Sequence, residues 1–117
     1  MVHLVYCDSK EKELERILSG GKTMVVRGAA GKKIPHSRVE AGEMLYFMEK
    51  GTGKISATAT VDSVENHTRL SDAEIDAALL KNQSRLQLSD KQKTKWHKKC
   101  LVLVGFKNVR TIAPLPY

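Results

Sequence analysis

The positions of hydrophobic and polar residues predict the strands first. Between residues 55 and 61 the chain reads ISATATV, a strict apolar–polar alternation typical of a half-buried strand. The run at 44–49, MLYFME, is apolar on both sides, as expected of a strand covered on two faces. Glycines within 51–53 turn the chain between them, so the two segments are predicted to form a hairpin. Further strands are predicted at 3–7, 23–27 and 100–106, with an extended edge in the tail after residue 106.

Helices are predicted where apolar residues return every three or four positions and a capping residue stands in front. Each predicted start has Asp or Ser followed three residues later by Glu or Gln, the pattern of a capping box. The pairs are Asp8 with Glu11, Ser71 with Glu74, and Ser89 with Gln92. The predicted helices run from about 9 to 19, from about 72 to 82, and over a short basic stretch that carries Trp96. Gly20 and Gly21 end the first of them.

The element order β-α-β-loop-β-β-α-α-β predicts the fold class. A central hairpin and helices that do not alternate regularly with strands disfavour a doubly wound parallel sheet. The order favours an α+β fold, a small mixed β-barrel with flanking helices. At 117 residues the chain is expected to form a single domain over residues 1–117.

Composition narrows the class of protein. An apolar share of 41% predicts a folded chain. No apolar run approaches the roughly 20 residues of a membrane span, and the start lacks a signal-peptide layout, so a soluble, cytoplasmic protein is expected. Cys7 and Cys100 have no C-x-x-C partner and are expected to be buried free thiols. Four histidines without ligand spacing predict neither a metal site nor a cofactor.

Charge is distributed unevenly along the chain. The formal net charge is +7, yet residues 19–39 and 81–110 together carry fourteen basic residues and one acidic residue, or +13. The rest of the chain therefore carries −6. Because a polyanion is attracted to such basic segments and repelled elsewhere, the pattern predicts a nucleic-acid partner, RNA or a nucleotide.

The stretch ILSGGKTMVVRG, residues 17–28, resembles the end of a phosphate-binding loop, but its spacing excludes one. G-x-x-x-x-G-K-[ST] would require a glycine at position 16, which is Arg16. The predicted order, a helix entering the glycines and a strand leaving them, is also the reverse of that loop. The stretch therefore predicts no ATP or GTP site.

The same stretch carries a resemblance to a known family. A helix that ends in ILSGGKTMVVRG, followed by GEMLYF, the strand KISATATVDSV and the late WHKKCLVLVGFKNV, resembles the ASCH branch of the PUA-like superfamily over nearly the whole chain. The resemblance implies a β-barrel with a cleft, and one wall of this cleft is formed by the end of the first helix and the strand that follows it. It also implies binding of RNA or modified bases, and in a few small bacterial members deacetylation of N4-acetylcytidine.

The resemblance places catalytic residues only in part. Lys22 matches the lysine of those amidohydrolases, whereas the position of their threonine nucleophile is Val25, which has no hydroxyl to activate. Thr23 lies on the same side of the strand as Val25, two residues closer to the helix, and is the candidate to replace the missing nucleophile. Their acid is left open among Asp62, Glu65 and Glu74. The favoured expectation is a binding module without catalytic activity of its own. An amidohydrolase is the alternative hypothesis, and a protein-interaction adaptor is the third.

The predicted binding residues come from three places: the two ends of the strand at 23–27, the glycine-containing loop behind it, and the lysine-rich helix. They are Lys22, Thr23, Arg27, Lys32, Lys33, Arg38, Lys95 and Lys98. Trp96 lies among lysines, where it could stack on bases, but packing in the core is the favoured interpretation. Tyr6 and Tyr46 are read the same way. Oligomeric state and the identity of the base stay open.

Overall fold

The protein is described from a computed structural model that covers residues 2–29 and 39–116, without the side chains of residues 29 and 116. Its strands are β1 Val2–Cys7, β2 Met24–Ala29, β3 Met44–Glu49, β4 Lys54–His67 and β5 Cys100–Pro116. Its helices are α1 Glu13–Leu18, α2 Asp72–Lys81, α3 Gln83–Leu86 and α4 Asp90–Lys95. No helix in these ranges is long and apolar enough to cross a membrane.

The described strands form one mixed sheet in the order β1-β3-β4-β5-β2. β1 runs parallel to β3, and the other neighbouring pairs are antiparallel. Register shifts interrupt the β3–β4 pairing between Phe47 and Met48 and the β4–β5 pairing at three points, and such bulges bend a sheet. The sheet curls into a half-barrel with flanking helices, which confirms the predicted α+β class and the mixed-barrel architecture.

Both faces of the half-barrel are covered. Successive strand residues point to opposite faces, so β2 sends Val25 to one side and Met24 and Val26 to the other. On the first side α1 packs with the inner core, where the Phe47 and Phe106 rings meet edge-on at 5.2 Å. On the second side, α2 and α3 pack over β2 and β5. Cys7 and Cys100 are buried free thiols, as expected.

The local predictions agree with most elements and fail at the start of the first helix and at α3. The capping boxes at Ser71 and Ser89 form, and β3 has the predicted bounds. The prediction for the first helix is wrong at its start: Asp8 accepts hydrogen bonds from its neighbours' backbone N–H groups in a separate turn, and the helix begins only at Glu13. α3 was not predicted, and β5 continues through the tail as one long strand.

Candidate functional site

A pocket of about 590 Å³ lies where the end of β1, the start of α1, β2 and the end of α4 come together. Its volume is within the range of small-molecule sites, roughly 300–1,000 Å³. It is lined by Tyr6, Asp8, Ser9, Lys10, Glu13, Arg27, Lys50, Gln92, Lys95 and Trp96. Four cationic side chains and two carboxylates in this lining leave a formal charge of +2.

Glu13 forms the charged base of the pocket. Its side chain is 3% exposed, with Oε1 3.3 Å from Nη2 of Arg27 and Oε2 3.5 Å from Nζ of Lys22. The backbone N–H of Asp8 also donates to Oε1, at 3.2 Å. A carboxylate so far from water is stable only when it is paired and hydrogen-bonded. One carboxylate between two cations leaves this buried cluster with one surplus positive charge beside the pocket.

Arg27 is held in one geometry by several partners. Its Nη2 donates to the carbonyl of Tyr6 at 2.8 Å, and Nη1 donates to the carbonyl of Val26 at 2.7 Å. Because β1 and β2 are the two edges of the sheet, the bond to Tyr6 crosses the opening of the half-barrel. The guanidinium carbon also lies 5.1 Å from the centroid of the Trp96 ring, a cation–π distance. Arg27 therefore presents a fixed positive surface to the pocket.

Lys22 lies behind the pocket. It is 1% exposed, its Nζ donates to the carbonyl of Leu86, and it is not part of the pocket lining formed by the described residues. Burial lowers the pKa of Lys22 from 10.5 to about 8, although the nearby Glu13 carboxylate opposes the shift. Burial, followed by the charge of Glu13, raises the pKa of the Cys7 thiol from 9.0 to about 12.

Trp96 forms the aromatic wall of the pocket. The residue ends α4, is half-buried, and packs against the outer core formed by β2, β5, α2 and α3. The Nζ of Lys95 lies 5.1 Å from its ring centroid. Trp96 thus packs against the core, which was the favoured interpretation, and also lines the pocket.

The structure brings some of the predicted residues together and separates others. Arg27 and Lys95 both line the pocket, each within 5.1 Å of the Trp96 ring centroid. Thr23 instead accepts a hydrogen bond at its Oγ1 from Nε of Arg85 at 3.0 Å, in a cluster with Asp62. Lys98 is exposed beside Gly28, at the far end of β2. Lys32, Lys33 and Arg38 lie outside the described residues.

Sequence reasoning missed Glu13, although a signal was present. Glu13 stands four positions before Ile17 and next to Leu14, so it falls on the apolar side of the helix, where a charge needs a partner. Asp8, Ser9, Lys10, Lys50 and Gln92 were also missed as lining residues; nothing in their local sequence indicates a shared pocket. Among the residues that the structure describes, His, Cys, Asp and Glu side chains form no group of three or more able to hold a metal.

Comparison with known proteins gives the fold. No protein-family model matches the chain, and no curated protein matches it. The structure is similar to the crystal structure of ASCH from Zymomonas mobilis, with a TM-score of 0.68 and 11% identity over 98% of this chain and 71% of that one. A point variant of the same protein gives a TM-score of 0.71 at 10% identity, over 98% and 75%. A hypothetical protein gives 0.54 at 13% identity, over 96% and 100%.

These similarities confirm the resemblance at the level of fold. The chain shares the fold of the Zymomonas mobilis ASCH structures over 98% of its length. At 10% to 13% identity the likeness concerns the path of the backbone, and residue roles have to come from this chain's own geometry.

Replacing Glu13 by glutamine should strongly destabilise the protein. Glu13→Gln keeps the size of the side chain but leaves the buried Lys22 and Arg27 without their counter-charge. Loss of one partner from a buried ion pair costs about 3 kcal/mol or more, so we expect a decrease of that order in the free energy of unfolding. Urea denaturation measures it. Glu15→Gln, an exposed position on the same helix, is the matched control and should change stability by less than about 0.5 kcal/mol. Equal effects of the two substitutions would contradict this account of Glu13.

The shifted pKa values of Lys22 and Cys7 predict how the free energy of unfolding changes with pH. Between about pH 8 and 10.5 the unfolded chain holds a proton that folded Lys22 has lost, so stability should rise with pH. Above pH 9 the unfolded chain releases the Cys7 proton that the folded chain keeps until about 12, so that contribution falls with pH. We expect the free energy of unfolding to rise by about 1 kcal/mol from pH 8 to 9 and then to level off.

Two variants separate the contributions in urea titrations across this pH range. Lys22→Met should abolish the rise between pH 8 and 9. Cys7→Ala should let the rise continue toward pH 10.5, where the unfolded lysine titrates. A rise of unchanged size in Lys22→Met would assign it to another group.

Proposed function

We propose that the chain is an RNA- or modified-nucleotide-binding module, with no chemistry of its own, whose pocket holds a base beside Trp96. The observation that carries the proposal is the arrangement of Arg27 and Lys95, each 5.1 Å from the ring centroid of Trp96, in a pocket of formal charge +2. Aromatic rings flanked by cations suit unstacked bases, because the ring stacks on the base while the cations attract the phosphates.

The surplus charge of the buried cluster supports an anionic ligand. Glu13 neutralises one of the two cations that it contacts, and of these two cations Arg27 lines the pocket while Lys22 lies behind it. A guanidinium already fixed by the Tyr6 and Val26 carbonyls loses little conformational entropy when it binds a phosphate or the edge of a base.

The surface around α4 supports a ligand longer than one nucleotide. Lysines on and after the helix are exposed and outnumber the single carboxylate of that segment. These lysines are Lys91, Lys93, Lys95, Lys98 and Lys99. Because exposed cations raise the local concentration of a polyanion and the rate of its association, the surface guides an RNA strand toward the pocket.

RNA binding is tested with a mixed tRNA pool, followed by tryptophan fluorescence. Trp96 is the single tryptophan of the chain, so its emission reports occupancy of the pocket directly. We expect saturable binding that weakens steeply between about 50 and 200 mM salt. Lys95→Ala should lower the affinity several-fold and reduce the salt slope by about one, as expected for a phosphate contact.

Lys107→Ala is the matched control, since it removes an exposed lysine from β5, outside the pocket lining. It should leave affinity and salt slope close to those of the unchanged protein. Binding that ignores salt, or that saturates without changing Trp96 emission, would contradict the proposal. A pull-down dominated by a protein after nuclease treatment would favour an adaptor instead.

A second candidate, a small amidohydrolase that deacetylates an acylated nucleoside, is favoured by one observation. A lysine with a pKa lowered to about 8 is deprotonated more easily than usual and suits proton transfer. Against it, Val25 has no hydroxyl, the Thr23 hydroxyl is bound to Arg85, and the Nζ of Lys22 faces the Leu86 carbonyl and Glu13.

Incubation with N4-acetylcytidine decides between the two. The binding module predicts no release of cytidine above the rate in buffer, measured by chromatography. Turnover that disappears in Lys22→Ala and survives in Lys107→Ala would overturn the claim that the chain has no chemistry of its own. Turnover equal in both variants would point to a contaminating activity.

A further inference from the structure

A second, smaller hollow of about 250 Å³ adjoins the pocket; we call it the side hollow. It is lined by Asp8, Lys10, Glu11, Lys91, Gln92 and Lys95. Four of these residues, Asp8, Lys10, Gln92 and Lys95, also line the pocket, so the two cavities form one continuous groove between the turn after β1 and α4.

The side hollow differs from the pocket in its chemistry. No aromatic residue lines it among the described residues, and its charged groups are three lysines and two carboxylates. The Asp8 carboxylate is bound to its own turn, because its Oδ1 accepts hydrogen bonds from the backbone N–H groups of Lys10 at 3.0 Å and Glu11 at 3.4 Å, and the lining as a whole has a formal charge of +1. The hollow therefore offers cations to a small anion and no ring on which a base would stack.

Two lysines of α4 connect the side hollow with the pocket. Lys91 and Lys95 are four residues apart in α4, so their side chains lie on the same face of the helix. Lys91 reaches only the side hollow, whereas Lys95 belongs to both cavities and lies 5.1 Å from the ring centroid of Trp96. A group attached to a base at Trp96 and extending past Lys95 would enter the side hollow, whose lining includes Lys91 and Lys10.

We infer that the side hollow is a phosphate subsite, an inference that rests on the proposed function of the neighbouring pocket. The ligand is then a phosphorylated nucleotide, and a free nucleoside would leave the side hollow empty. The phosphate is either the terminal group of a mononucleotide or a phosphodiester within an RNA strand. Lys10 and Lys91 hold it, and the Glu11 carboxylate, which also lines the hollow, weakens the attraction.

Fluorescence titration of Trp96 tests the subsite with the four ribonucleosides, their 5′- and 3′-monophosphates, and the corresponding dinucleoside monophosphates. We expect the favoured nucleoside to gain about tenfold in affinity when it carries a phosphate, the size of a typical charge-assisted contact. A gain confined to the dinucleoside monophosphates would identify an RNA strand as the source, and an equal gain for a mononucleotide would identify a terminal phosphate.

Variants at the side hollow give opposite expected shifts. Lys91→Ala should remove most of the gain due to phosphate while nucleoside affinity stays unchanged, and Lys91→Arg should restore it. Glu11→Gln should increase the gain. Lys91 is exposed and Ser89 and Gln92 make the capping bonds of α4, so the substitution leaves the fold intact. Lys107→Ala is again the control.

The possible failures are distinguishable. If nucleosides bind and phosphate adds nothing, or if Lys91→Ala weakens nucleosides and nucleotides equally, the subsite is wrong and the nucleotide pocket stands. If neither nucleotides nor RNA alter Trp96 emission, both the subsite and the proposed function are wrong.

Discussion

The buried carboxylate of Glu13 is the interaction on which the geometry of the site depends. It contacts Lys22 and Arg27, which lie on either side of the start of β2, and thereby fixes α1 against that strand. Removing three charged groups from water is costly, and the cost is met only when each finds its partners. The backbone carbonyls of Leu86, Tyr6 and Val26 complete the set.

An open sheet gives this cluster its place. The edges β1 and β2 are not paired with each other, and the guanidinium of Arg27 crosses between them to the Tyr6 carbonyl. Because a side chain joins β1 and β2, and not a row of backbone hydrogen bonds, space remains between the two strands. The pocket occupies that space, so the incomplete barrel and the candidate site have the same structural origin.

The buried charges and the exposed charges around this opening have different roles in the proposed function and in the phosphate subsite. The buried charges of Glu13, Lys22 and Arg27 are fixed by packing, and Arg27 gives the pocket its positive wall. The exposed lysines of α4 are screened by salt and serve to attract and guide a ligand. Trp96 lies between them, in contact with the outer core on one side and with the pocket on the other.

The sequence by itself determined the elements that local patterns encode. An apolar run predicted β3, alternation predicted β4, and Ser71 and Ser89 predicted two helix starts, because these signals depend on residues a few positions apart. It failed at Asp8, whose side chain bonds to its own turn instead of capping a helix, since both outcomes suit the same residue.

Only the tertiary structure decided the strand order and the membership of the pocket. Tyr6, Arg27, Lys50 and Trp96 come from distant parts of the chain, and no local pattern relates them. The inward direction of Lys22 also required the fold, because a lysine is ordinarily solvated until packing surrounds it with partners. Local propensity acts within one turn or one strand. A pocket is formed by residues that are far apart in the sequence, and no short-range pattern indicates which of them will meet.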